Sequence, residues 1–157
     1  VKLETGAQQQ FRVMRVKPSD KQAEEAYRLI VDELPAPNAK PQKGIQLVMR
    51  YSLPLFVNVQ NNAEPKLQWR AEKAANGKTV LVAENTGNAH AQLSNITFQT
   101  TSAKDALTLA SGLAGYVLPG NTWKRELEVS PASLNQGRLN ATVNGMPIQT
   151  EVRFAAP

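Results

Sequence analysis

Apolar and polar residues alternate at every second position over much of this chain. The alternation is strongest from Ile45 to Val57. Ile45, Leu47, Met49, Tyr51, Leu53, Leu55 and Val57 fall on one face of an extended strand. Gln46, Val48, Arg50, Ser52, Pro54 and Phe56 fall on the other. These thirteen residues exceed the usual strand length of about five or six. Pro54 has no N–H to give to a ladder, so the strand is expected at a sheet edge or a bend there.

The same pattern predicts a strand over Gln10–Val16, after a Thr5-Gly6 turn. Glu25–Leu34 fits a strand or a short amphipathic helix. Pro35 and Pro37 end it sharply, and its neighbours favour the strand. Pro35–Gly44 reads as an exposed, Pro-rich loop, and Asn58–Pro65 as a boundary between domains. Beyond it, strands are expected at Lys66–Ala71, Lys78–Glu84, Ala91–Thr100, Trp123–Val129, Arg138–Val143 and Met146–Phe154. Asn76-Gly77 and Asn144-Gly145 mark hairpins, because a tight type I′ turn needs two residues that tolerate positive φ. So many short strands in about 100 residues predict an all-β, immunoglobulin-like sandwich.

Composition adds exclusions. At 157 residues the chain can bury a real core. Its net charge is +5 and its pI about 9.6, but the basic residues are dispersed, which argues against nucleic acid as a partner. With no cysteine there is no disulfide, no thiolate metal site and no cysteine nucleophile. No apolar run reaches the roughly 20 residues that span a bilayer, so no membrane insertion is expected. Val1-Lys2-Leu3 shows neither an initiator methionine nor an apolar leader core, so a processed or truncated chain is expected.

Candidate chemistry is sparse. His90, the single histidine, lies in Gly87-Asn88-Ala89-His90-Ala91 and reads as a hydrogen-bonded turn residue, with neither a nucleophile elbow nor a set of metal ligands around it. Glu24-Glu25 and Asp32-Glu33 are adjacent pairs. Neighbours on a strand point to opposite faces, so neither pair serves as acid and base on one substrate. Phosphate-binding glycine motifs are absent. Trp69 and Trp123 read as sandwich core, and Gly115–Gly120 as a structural corner. No catalysis, metal or cofactor is expected. What remains is the long strand. A strand that outruns its sheet offers unpaired main chain and a row of apolar side chains, which is what strand addition to another protein requires.

Several segments in order resemble the PapD-like periplasmic chaperones of the chaperone–usher pathway, nearest to the archaic or spore-coat-U-like branch. They are Glu25-Ala26-Tyr27-Arg28-Leu29, Asp32-Glu33-Leu34-Pro35, Gly44–Tyr51, Leu53–Val57, Asn85–Ala91, Gly115–Gly120 and Asn144-Gly145-Met146-Pro147. The resemblance implies two immunoglobulin-like domains, here a partial N-terminal one at 1–57 and a complete C-terminal one at 58–157. It implies a periplasmic chaperone of pilus assembly that caps pilin or fimbrial subunits by donor-strand complementation and hands them to an outer-membrane usher. The donor residues carried over are Ile45, Leu47 and Met49, with Tyr51 a fourth. Two departures stand out. Pro54 occupies the position of the family's cleft lysine, and the strand bearing the cleft arginine has no counterpart, which leaves Arg50 as the candidate carboxylate anchor. Glu24 or Glu25 resembles the family's interdomain salt-bridge acid. A partial domain with open edges also leaves self-association as an expectation. The alternative is a structural or adhesive cell-surface sandwich module.

Overall fold

The computed structural model describes residues 2–17, 23–35, 47–57, 61–100, 106–127 and 136–153. Among them are nine strands and no helix: β1 (Glu25–Asp32), β2 (Arg50–Val57), β3 (Leu67–Lys73), β4 (Thr79–Asn85), β5 (Ala91–Thr100), β6 (Leu107–Val117), β7 (Thr122–Leu127), β8 (Gln136–Val143) and β9 (Met146–Arg153). Strands β1 and β2 form an antiparallel ribbon. The other seven build a three-stranded sheet, β3-β4-β7, and a four-stranded sheet, β6-β5-β8-β9. These two sheets face each other across one apolar core as an immunoglobulin-like sandwich.

The core follows the period-2 rule. On β8, Gly137, Leu139, Ala141 and Val143 are buried, while Gln136, Arg138, Asn140 and Thr142 between them are not. Leu81 and Ala83 of β4 meet Leu93, Ile96 and Phe98 of β5 in the same cluster, with Val117, Leu127 and Val152. Trp69 and Trp123 lie at its margin, edge to face at 6.4 Å between ring centroids. Gly137 has a packing reason: a Cβ there would come within 2.3 Å of Phe98 Cζ.

Two turns are set by residue chemistry. Asn144 (φ 49°) and Gly145 (φ 80°) both sit in the left-handed region that the β8–β9 hairpin requires. Gly77 (φ 80°) closes the β3–β4 hairpin, with Asn76 Oδ1 accepting from Lys78 N at 3.0 Å.

Three sequence expectations need correction. Gln10–Val16 forms no strand: these residues are exposed and have no ladder partner among the described residues, and alternation alone does not hold an isolated strand in water. Strand β6 was not expected over most of its length. Its run of small residues obscures the pattern, and its pairing with β5 is broken by register shifts around Asn95 (φ 50°), whose side chain accepts from Gly112 N at 2.9 Å. Among the described residues the long strand begins at Arg50, with 47–49 outside it. Positions 36–44 of the Pro-rich loop, Ile45, positions 58–60 of the expected boundary, Val129 and Phe154 lie outside the described residues.

Candidate functional site

The ribbon pairs in register from Glu25↔Val57 to Asp32↔Arg50. One of its faces therefore carries Tyr27, Leu29 and Val31 beside Tyr51, Leu53 and Leu55. Leu47 is 83% exposed, Met49 53%, Tyr51 48% and Leu53 48%, so the odd-numbered apolar row is open to solvent. Met49 remains tied to the chain before it: its carbonyl accepts from Glu33 N at 2.8 Å, and its N–H donates to Glu33 Oε2 at 2.9 Å. Strand β2 pairs with β1 on one side, and its other edge has no strand beside it among the described residues. Toward the base of the ribbon lies a groove of about 690 Å³, lined by Val13, Met14 and Val16 together with Tyr27, Leu29, Leu55 and Val57.

Arg50 lies across from Asp32 and forks onto it, Nη2 donating to Oδ2 at 3.0 Å and Nε to Oδ1. That hydrogen-bonded guanidinium holds the Asp32 carboxyl below the usual carboxylate range and raises Arg50 in turn. Both side chains are exposed, so the pair is salt-screened and exchangeable.

Glu24 and Glu25 separate. Glu25 accepts from Arg15 Nη2 at 3.1 Å and from the Tyr27 hydroxyl at 2.7 Å, which raises the pKa of that hydroxyl. Glu24 points into the sandwich with its side chain 2% exposed. Its Oε2 accepts from the His90 backbone N–H and lies against His90 Nδ1, each at 2.7 Å, while its own N–H donates to Asn88 O at 2.8 Å. A buried carboxylate needs such partners to offset lost hydration. The His90 ring is then covered by Phe56 from the end of β2, centroids 3.7 Å apart and planes 11° from parallel. Tyr116 of β6 flanks both rings, at 5.3 Å from Phe56 and 6.0 Å from His90. Gln92 Nε2 donates to the Tyr116 hydroxyl at 2.9 Å. An aromatic contact adds about 0.5–1.5 kcal/mol beyond the apolar area it buries. Behind His90, Asn144 braces the loop: Nδ2 donates to His90 O at 3.0 Å and Oδ1 accepts from Gln92 N at 2.7 Å.

Sequence reasoning missed Phe56 and Tyr116. Phe56 carried a signal, being the large aromatic on the more polar, even-numbered face of β2. Tyr116 carried none, since its partners are fixed only by tertiary structure. No group of three potential metal-ligating side chains occurs among the described residues, and no described helix is long and apolar enough to cross a membrane.

Comparison with known proteins bears on the same parts. Residues 1–61 match the family described as pili and flagellar-assembly chaperone, PapD N-terminal domain. No curated protein matches the chain. Among solved structures it resembles a chain in the crystal structure of the CsuC–CsuE chaperone–tip adhesion subunit pre-assembly complex from archaic chaperone–usher Csu pili of Acinetobacter baumannii, with 26% identity and a TM-score of 0.55. That likeness covers 90% of this chain and 65% of the solved one, so the chain spans slightly less than two thirds of its relative. The family match covers the ribbon segment and the structural likeness runs over nearly the full length, so PapD-like pilus chaperones are what the all-β chain resembles in both comparisons.

Proposed function

We propose that the chain captures pilin-type subunits in the periplasm by donor-strand complementation and passes them to an outer-membrane usher. One observation carries this reading. The odd-numbered row approaching and entering β2 is apolar, exposed and set on a strand whose outer edge is unpaired among the described residues. A partner lacking one strand of its sandwich has the complementary defect, an apolar groove between two unpaired edges. Strand addition satisfies the main chain, and the alternate side chains fill the groove. Leu47, Met49 and Tyr51 are the donor residues in this proposal, with Ile45 ahead of them. The N-terminal domain at 1–57 supplies the strand, the C-terminal domain at 58–157 supports it, and Glu24 serves as the acid between them. The likeness to a chain of a chaperone–subunit complex supports the assignment. Arg50 anchors a client carboxylate by exchanging Asp32 for it, a swap that their exposed position allows. Without a client, the same bare edge is open to a second copy of the chain. This is binding, not catalysis.

Leu47→Glu tests the reading. A charge forced into an apolar groove costs several kcal/mol unless it is paired. Pull-down of a co-expressed pilin subunit should fall by at least about a hundredfold, since 1.4 kcal/mol is a factor of ten. Undiminished recovery by the Leu47→Glu chain would remove the donor-strand assignment.

A further inference from the structure

We propose that Phe56 is a positioning residue that fixes the rotational phase of the donor strand against the sandwich. The inference rests on the donor-strand reading, but its test needs no client. It starts from parity. Phe56 is even-numbered, whereas Leu47, Met49, Tyr51, Leu53 and Leu55 are odd-numbered, so Phe56 projects from the opposite face of β2. A two-stranded ribbon is weakly held by its own ladder and twists strongly, so it needs an outside reference to set its direction. The Phe56 ring provides one. It lies flat on His90, within 11° of parallel, and leans on Tyr116.

The reference is rigid on the sandwich side. His90 is held at three points: Glu24 Oε2 contacts both its N–H and its Nδ1, and Asn144 Nδ2 donates to its carbonyl. Tyr116 sits on β6 at its Gln92 register partner, and its hydroxyl accepts from that side chain. On the ribbon side, Phe56 pairs across from Ala26, two residues after Glu24. The carboxylate of Glu24, just before β1, and the ring of Phe56, near the end of β2, therefore grip one imidazole from the two sides of the ribbon. Sliding β2 by one residue would replace Phe56 with Leu55 or Val57 over His90 and turn the odd row inward. With Phe56 seated, that alternative is closed and the odd row stays outward.

The chain has no cysteine, so two spin labels can be placed without background. Ser52→Cys on β2 and Lys124→Cys on β7, both exposed positions, report the ribbon against the sandwich in the full-length chain. Pulsed dipolar spectroscopy should give a single narrow distance in the parent and in Phe56→Tyr. Phe56→Ala should lose that single distance and broaden. Tyr116→Leu, which alters the seat from the other side, should broaden it too, and the amide spectrum of the β3–β9 strands reports whether each variant keeps its sandwich. A parental distance distribution in Phe56→Ala would overturn the proposal. Leu47→Glu should leave the distance unchanged, so loss of capture there and loss of phase at Phe56 report on separate ideas.

Discussion

At the residue scale, Asn85 shows how much order one polar side chain can impose. It is fully buried at the end of β4, and its amide is satisfied four times. Nδ2 donates to Ala89 O at 2.7 Å and Val117 O at 2.9 Å, while Oδ1 accepts from Lys66 N at 3.1 Å and Gly87 N at 3.0 Å. These contacts tie the segment leading into β3, the 86–90 loop and the end of β6 to one point. That loop carries His90, so Asn85 also supports the seat of Phe56. Asn85→Ala would strand two carbonyls and two N–H groups, each costing about 1–3 kcal/mol if left dry. With water entering to relieve part of this, we expect a loss of about 3 kcal/mol or more, read as a lower urea midpoint with an unchanged m-value. Asn85→Asp keeps the two acceptor contacts but sets a buried carboxylate oxygen against the Ala89 and Val117 carbonyls, so near neutral pH it should be at least as destabilised as the alanine variant.

At the element scale, the sheets depend on close approach where side chains are smallest. Gly137 begins the buried row of β8, and a methyl there would collide with the Phe98 ring and with Gln99 O. Overpacking of this kind costs about 1–3 kcal/mol, so Gly137→Ala should lower the thermal midpoint, with the largest amide shifts at β5 residues next to Phe98. The elements also show what was legible beforehand. β3, β4, β8 and β9 could be read because strand-like runs and the Asn-Gly turns agreed, β5 and β7 from their runs and spacing, and β1 from the prolines that end it and the strands around it. β6 could not, because Gly112, Gly115 and the Asn95 bulge interrupt the period. Gln10–Val16 misled because alternation records what a strand would bury and not whether a neighbour exists. The exposed row on β2 was legible from parity alone. Its seat was not, because the Phe56–His90–Tyr116 contacts join residues far apart in sequence.

At the scale of the whole molecule, cohesion is unequal. The sandwich shares one buried core among seven strands, whereas the ribbon has two strands and leaves Tyr27, Val31, Tyr51 and Leu53 exposed. Local stability follows buried apolar contact. Amides of β1 and β2 should therefore exchange with deuterium at least about tenfold faster than those of β5 and β8, a gap of roughly 1.4 kcal/mol in opening free energy. Equal protection in both regions would show that the ribbon draws support from more than its base. The contrast suits the proposed capture of a partner, since the part that would join another fold is the part least committed to its own.

The Asn144-Gly145 turn links this contrast to chemical ageing. Asn-Gly is the dipeptide most prone to losing its side-chain amide as ammonia, and both residues are exposed here. The amide nitrogen at risk is the one that donates to His90 O. Deamidation would set a carboxylate against that carbonyl, exchanging attraction for repulsion directly behind the imidazole. A lesion confined to a surface hairpin would thus be felt at the base of β2, the proposed donor strand, with no residue of that strand altered.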